Sequence, residues 1–339
     1  MSRILIVGAG FSGAVIAREL AEAGHIVDVI DKRQHIGGNA FDYVNDKGIR
    51  IHKYGPHLFH TNNKEVVDWL SQFTEWVPYK HKVKALLSDG RYVTLPVNKE
   101  TKEIVGEENI VDIFIRPYTK KMWAMDIEDL DPSVLLRVPV RDDDNEYYFP
   151  NDEYQMMPKH GYTNIFHNIF NHDNILVKTG VEFRKEMEKG YDFIFNSMPI
   201  DQYFNYEFGH LPYRSIKFHH VDVPAPRILP TGTVNFTHNG PYTRMTEWKN
   251  FPEHGDNDEW TTLTYEEPCN YQENQMERYY PVKDKDGNNR SRYKLYKSLI
   301  PNNMEFIGRC GQYVYIDMHQ AIASALAVSK RYLYNTAEV

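Results

Sequence analysis

Residues 8 to 38 limit most sharply what this chain can become. Glycines, small residues and one acid recur there in a fixed order, Gly8-x-Gly10-x-x-Gly13-x-x-x-Ala17-x-x-Leu20-x-x-x-Gly24-x-x-Val27-x-x-x-Asp31-x-x-x-x-x-Gly37-Gly38. The preceding Ile4 to Val7 form an apolar run suited to a parallel strand buried on both faces. Gly8 and Gly10 allow a tight turn that brings backbone N–H groups to a pyrophosphate. Gly13 lets the next helix pack close to the strand with its positive end toward the phosphates. Ala17 and Leu20 continue one helical face, Gly24 suits the helix end, and Ile26 to Ile30 supply a second strand. Asp31, at its tip, is placed to accept hydrogen bonds from an adenosine ribose. A GxGxxG pattern alone is weak; set on strand–turn–helix–strand–acid it marks a dinucleotide cradle.

Carried on to Gly37-Gly38, the string resembles the fingerprint of glutathione-reductase-type flavoproteins, in the branch shared by amine oxidases and sugar-nucleotide mutases. The resemblance implies FAD rather than NAD, with the second glycine pair passing close to the flavin side. Composition agrees with a soluble globular enzyme: 41% hydrophobic and 25% charged residues over 339 positions, more than one average domain. No apolar run approaches the ~20 residues that span a bilayer, and the first apolar segment leads into the glycine turn rather than a cleavage site. Two cysteines, Cys269 and Cys310, exclude a disulfide framework and point to a reducing, cytoplasmic setting. A net charge of −8 argues against nucleic-acid binding while allowing local basic pockets for phosphate.

Periodicity predicts a helix near 63–73, with Val66, Val67 and Leu70 on one face. A hairpin of Lys82–Leu87 and Arg91–Leu95 turns at Ser88-Asp89-Gly90. A helical stretch over 100–124 follows, then a helix from Gly161 to Phe170, strands at Ile175–Phe183 and Tyr191–Asn196, and short strands between 213 and 248. Lys283 to Arg292 reads as a polar surface loop and Asp142-Asp143-Asp144 as a solvated turn. Strand Met304–Ile307 and a helix over 318–334, with Asp317 and Gln320 at capping-box spacing, return to the first unit.

Four arginines stand in separate motifs: Arg137, Arg214, Arg244 and Arg309. Guanidinium groups suit bidentate phosphate binding, and a diphosphate substrate beside a dinucleotide could occupy several. IHKYGPHLFHT at 51–61, PYTKKMW at 117–123, RVPVR at 137–141 and NEYYF at 145–149 open an ordered series. It continues with PIDQYFNYEFG at 199–209, PYRSIKF at 212–218, PYTRMTEWK at 241–249, YYPV at 279–282 and GRCGQYVYIDMHQAIASAL at 308–326. In order and across nearly the whole chain, this series resembles the bacterial UDP-galactopyranose mutase family. The resemblance implies an α/β fold: a discontinuous FAD-binding Rossmann-like domain of the glutathione-reductase type (1–75, 171–211, 300–339), a small helical lobe (97–140) and an antiparallel β-sheet substrate domain (76–96, 141–170, 212–299).

It also implies a redox-neutral isomerase, active with reduced FAD. Such an enzyme interconverts UDP-galactopyranose and UDP-galactofuranose through a covalent adduct of the anomeric carbon with flavin N5, and feeds cell-surface glycans. By the same resemblance Arg137, Arg244, His57 and Tyr315 are catalytic. Gly8, Gly10, Phe11, Ser12, Gly13, Asp31, Lys32, Gly38, Asn39, His57, Arg309, Asp317 and Met318 hold the cofactor. Phe114, Tyr118, Trp123, Arg137, Tyr148, Arg214, Asn235, Arg244, Tyr280 and Tyr315 contact the UDP-sugar. Arg309 is expected at the FAD pyrophosphate, and Asp317-Met318 beside the flavin ring. The spacing of His57 and His60 lacks the surroundings of a metal site; the resemblance implies that both stand near the flavin and sugar, with a histidine fixed in a buried turn as the alternative for His60. Only twenty residues lie between Pro96 and Pro117, shorter than the family's usual helical insertion, so a monomer or a dimer built on another surface is expected. Two alternatives accompany this reading: a mutase for another nucleotide sugar, such as UDP-N-acetylgalactosamine or a dTDP-sugar, and an amine-oxidase-like FAD oxidoreductase.

Overall fold

The computed structural model describes residues 1–131 and 139–337. Five parallel strands, β1 (Arg3–Val7), β2 (Ile26–Asp31), β10 (Ile175–Thr179), β11 (Phe193–Asn196) and β17 (Met304–Phe306), form one sheet in the order β10-β2-β1-β11-β17. Alternate side chains of β1 go to opposite faces, as the two-residue period of a strand requires. Ile4 and Ile6 pack with the helices Phe11–Glu22 and Met318–Ala337, while Leu5 and Val7 pack with Ile200, Tyr203, Tyr213 and Tyr296. A strand buried on both sides explains the unbroken apolar run of β1. Strands from positions near 3, 30, 177, 195 and 305 thus build one nucleotide-binding layer, a discontinuity visible in the sequence.

A seven-stranded sheet forms the second layer, in the order β16-β12-β15-β14-β13-β7-β8. Its strands are β7 (Val83–Leu86), β8 (Tyr92–Leu95), β12 (Tyr213–Val223), β13 (Thr233–Phe236), β14 (Arg244–Glu247), β15 (Thr261–Asn270) and β16 (Tyr280–Pro281). The expected antiparallel sheet holds except where β13 runs parallel to β7. Smaller sheets join the layers: β3 (Asp42–Val44) with β4 (Arg50–His52), and β5 (Phe59–Thr61), β9 (Tyr154–Pro158) and β6 (Trp76–Pro78) in the order β5-β9-β6.

Three expectations change. The helical stretch over 100–124 divides into Lys99–Val105, a short 3-10 turn, a π-helical turn at Val111–Ile115 and a helix Arg116–Trp123. Gly106 ends the first piece and Pro117 opens the last, as their backbone preferences dictate. The helix Tyr162–Phe170 belongs with the nucleotide layer rather than the sheet domain: the rings of Phe166 and Phe11 lie 4.5 Å apart. Buried Asp42 seals its first turn, accepting from the Tyr162 and Thr163 N–H groups at 2.7 and 2.8 Å. Finally, Lys283–Arg292 is only partly a loop, because a helix covers Asn288–Lys297. Asp284 accepts from the Asn288 and Asn289 N–H groups, and Tyr293 and Tyr296, three residues apart, bury one face of an otherwise polar helix. The helix carries three apolar residues, buried Tyr293 and Tyr296 and exposed Leu295, and all three lie beyond Arg292, which is why Lys283–Arg292 reads as a loop.

Candidate active site

Two cavities meet inside this framework. The smaller, about 310 Å³, lies at the carboxyl ends of β1, β2, β11 and β17, where open α/β sheets bind ligands. Gly8, Gly10, Phe11, Ser12, Gly13, Asp31, Lys32, Gly38 and Asn39 line it, with Arg33 and Glu277 at its edge. The Gly37 N–H donates to Ala9 O at 2.9 Å, and a Cβ on Gly38 would stand 2.9 Å from Gly10 Cα. The two glycine stretches therefore touch backbone to backbone. Gly10 caps the twelve-residue helix Phe11–Glu22 without a side-chain acceptor, leaving first-turn N–H groups for an anion. This cradle fits a dinucleotide pyrophosphate. Asp31 accepts from the Ala9 N–H at 2.8 Å and the Arg33 N–H at 2.9 Å, so its carboxylate also braces the turn, beyond the ribose contact expected of it.

The larger cavity, about 540 Å³, lies between the seven-stranded sheet and the helix Arg116–Trp123. Its floor is one transverse row, because Phe218 on β12, Glu266 on β15, Arg244 on β14 and Asn235 on β13 are successive cross-strand partners. Direct cross-strand neighbours lie roughly 5 Å apart, and Arg244 Nε stands 2.7 Å from the buried Glu266 Oε1. Burial works against the Arg244 charge, but Glu266, with Tyr118 and Tyr280 nearby, more than offsets it and raises the guanidinium pKa above its ordinary value. Tyr280 stacks on Tyr315 with ring centres 5.2 Å apart, and Trp123 meets Tyr280 edge-on. Phe114, Tyr118, Trp123 and Tyr148 complete the aromatic wall. The cavities share Asn39, His57, Arg309, Asp317 and Met318, so a cofactor in one would meet a substrate in the other at these five residues. The Asp317 N–H is held by Gln320 Oε1 at 2.9 Å, one half of the expected capping box.

Hydrogen bonding assigns the tautomers of a buried histidine chain behind His57. His254 Nδ1 faces Pro252 O at 2.7 Å and must donate, so its Nε2 accepts from His52 Nε2 at 3.0 Å. His52 Nδ1 is then free to accept the His57 backbone N–H at 3.0 Å. His57 Nδ1 donates to Gly55 O at 2.9 Å, which leaves its Nε2 as an acceptor. Burial holds the pKa of His57 and His254 down to about 4, that of His81 to about 3 and that of His52 well below 6.5. The unfolded chain takes up these protons near pH 6.5 while the folded chain refuses them. Stability is therefore full above about pH 6.5 and falls as pH drops toward 4, each histidine adding up to ~1.4 kcal/mol per pH unit. Denaturant titrations should place the folding equilibrium constant at pH 4.5 at least about a hundredfold below its pH 7 value, the share of a single such histidine; equal midpoints at the two values would contradict the assignment.

The structure moves two arginines away from their expected partners. Arg214 lies on the cavity-facing side of β12 but four residues from Phe218, roughly 13 Å along the strand. Its Nε donates to Met122 O at 2.7 Å, Nη2 to Lys121 O at 3.2 Å and Nη1 to Asn270 Oδ1 at 2.6 Å. It fastens a helix and does not line the substrate cavity. Arg309 reaches both cavities, yet it donates to Tyr279 O and Ile316 O and lies near the Tyr280 and Tyr315 rings, so it braces the tyrosine pair rather than offering a free fork to a pyrophosphate. Arg137 lies outside the described residues. His60 is more than a turn residue: it lines the cavity, stacks on Phe149 at 3.5 Å and bonds Asp152 Oδ2 through Nδ1 at 2.6 Å. Glu266 and His319 also face the cavity without having been singled out. His319, directly after Met318, was within reach of local reasoning; Glu266 needed the register of β15 on β14. Among the described residues, no cluster of three or more His, Cys, Asp or Glu could hold a metal ion.

A family model described as UDP-galactopyranose mutase matches residues 113–315, and one for an NAD(P)-binding Rossmann-like domain matches residues 6–73. The chain is 33% identical to a probable UDP-galactopyranose mutase of Klebsiella pneumoniae, over 98% of this chain and 95% of that one. It is 32% identical to the dTDP-fucopyranose mutase of Escherichia coli, over the full length of both. The crystal structure of a reduced UDP-galactopyranose mutase shares the fold, with a TM-score of 0.74 at 16% identity over 98% of this chain and 94% of that one. The cradle and these likenesses assign a flavin cofactor to the nucleotide cavity. Among the described residues, no helix is long and apolar enough to cross a membrane.

Proposed function

The chain belongs to the UDP-galactopyranose mutase family and is an isomerase; from that premise we propose that it interconverts UDP-galactopyranose and UDP-galactofuranose with reduced FAD. We place it in the cytoplasm, as a monomer or as a dimer built away from the shortened lobe, supplying galactofuranose for surface glycans. The observation that carries the reading is the row Asn235–Arg244–Glu266 beneath Tyr118, Tyr280 and Tyr315, opening onto the nucleotide cavity at His57. When bound, reduced FAD supplies a nucleophilic ring nitrogen for the sugar and ends the cycle in its starting redox state.

The protein's own groups do the rest. Arg244, kept charged by Glu266, holds the diphosphate, and Arg137 is proposed as its second cation. Burial raises the phenol pKa of Tyr118 and Tyr280, so both stay protonated and donate to phosphate or sugar oxygens. Tyr315 backs Tyr280, Phe114 and Trp123 offer ring faces to the base and sugar, and Tyr148 and Asn235 close the sides. Neutral His57 presents Nε2 as an acceptor where the cavities join.

A second substrate within the same reaction has support. The likeness to the dTDP-fucopyranose mutase covers the whole chain, and Val83, Leu95, Val97 and Ile110 give the cavity an apolar end beside Phe114 that would take a thymine methyl. The test is chromatography of UDP-galactofuranose and dTDP-fucofuranose incubated with purified protein, with and without dithionite. Pyranose is expected from the UDP-sugar, only or much faster after reduction. A tenfold preference for the dTDP-sugar would reassign the substrate, and no conversion of either despite bound, reducible flavin would sink the proposal.

A further inference from the structure

Two cations, half-buried Lys121 and buried Arg214, fasten the helix that forms the aromatic wall of the substrate cavity. Lys121 Nζ donates to the carbonyl oxygens of Phe236 at 3.0 Å, at the end of β13, and of His238 at 2.8 Å and Tyr242 at 3.0 Å, in the connection from β13 to β14. From the opposite side, Arg214 of β12 donates to the carbonyl oxygens of Lys121 and Met122 at the end of the same helix. One tie runs from a helix side chain to hairpin backbone, the other from a sheet side chain to helix backbone. The neighbouring cations behave differently, since Lys120 pairs with Asp126, and Arg116 with Asp112 and Glu128, at the surface. Among the described residues Lys121 makes no ion pair. An ammonium drawn from water toward three neutral carbonyls gains little net stability over its solvated form, but three acceptors define its position.

That position lies between the parts of the site. Tyr118 and Trp123 stand three residues before and two after Lys121, and line the cavity. Asn235 precedes Phe236, and Arg244 follows Tyr242 by two residues. Lys121 itself does not line the cavity. We propose that Lys121 is a positioning residue: through its three carbonyl bonds it sets the separation of the aromatic wall from the Asn235–Arg244 floor, and so the affinity for the nucleotide diphosphate of the substrate. The kinetic consequence rests on the nucleotide-sugar reading above; the structural one does not.

The test compares Lys121→Met and Lys121→Arg in the full-length holoprotein, measuring kcat and KM for the nucleotide sugar, Kd for UDP, and amide exchange of peptides covering 113–126 and 233–245. Lys121→Met should raise KM and the UDP Kd at least about tenfold, change kcat less than about threefold, and deprotect both peptides. Lys121→Arg keeps the charge and several donors, and should recover most of the affinity and the protection. Wild-type KM, Kd and exchange in Lys121→Met would overturn the proposal, as would an equal loss in kcat with affinity unchanged. If Lys121→Met does not fold, Lys121→Gln, which retains two donors, is read against the same outcomes. If the wild type turns over no nucleotide sugar, the exchange data alone decide whether the clamp exists, and only the substrate reading falls.

Discussion

Replacing Arg244 by Ala is expected to lower kcat/KM for the nucleotide sugar at least a thousandfold, about 4 kcal/mol of lost transition-state stabilisation. Two effects add. The substitution removes the guanidinium that faces the cavity from the middle of the floor, and it leaves Glu266, 1% exposed, with an uncompensated charge. Truncating one member of such a buried pair costs ~3–5 kcal/mol, so stability should fall as well. The two losses separate experimentally. Pairing Arg244→Met with Glu266→Met removes both charges at similar volume and should recover much of the melting temperature, yet none of the turnover. Arg244→Lys keeps the charge without the bidentate fork and should fall between. An Arg244→Ala protein that keeps a tenth of wild-type kcat/KM would show that the diphosphate is held elsewhere.

The second large effect lies in the nucleotide layer. A Cβ on Gly13 would stand 2.0 Å from Gly8 O and 2.9 Å from Ile6 Cγ2. Neither the backbone oxygen nor the fully buried isoleucine can yield without moving the helix Phe11–Glu22 off β1. That helix buries Ala14, Val15, Ala17 and Leu20 and presents the anion-binding first turn. Gly13→Ala should therefore cost more than ~3 kcal/mol and give protein with no bound flavin, read as the ratio of flavin to protein absorbance after purification. Gly190→Ala is the control, because a Cβ there meets nothing within 4 Å; it should retain flavin fully. Flavin bound at the wild-type ratio by Gly13→Ala would mean that the cofactor is not seated on this turn.

Features legible from the sequence are those carried by local chemistry. The strand–turn–helix–strand around Gly8 to Asp31 followed from glycine spacing and apolar runs; the residues that the resemblance named for the cofactor lie along the same cavity, with Arg309 engaged there by backbone carbonyls. The hairpin Val83–Leu86 with Tyr92–Leu95 followed from its turn residues. Local signals failed where tertiary contacts outweighed them. Asn288–Lys297 became a helix on the strength of two buried tyrosines, and Tyr162–Phe170 joined the nucleotide layer because Phe166 meets Phe11.

Arginines show the division most plainly. PYRS and PYTR look alike as strings, and charge alone offered Arg214 and Arg244 the same role. Their fates differ because Arg244 falls in register with Asn235 and Glu266 at the cavity floor, while Arg214 falls beneath the helix end and is occupied by its carbonyls. Register joins residues far apart in the chain and depends on which strands pair, so no short motif contains it. The sequence by itself therefore determined the dinucleotide cradle, the family and the inventory of aromatic and cationic groups. The tertiary structure alone decided which of those groups face one another across the cavity, because that depends on strand pairing and burial rather than on residue type.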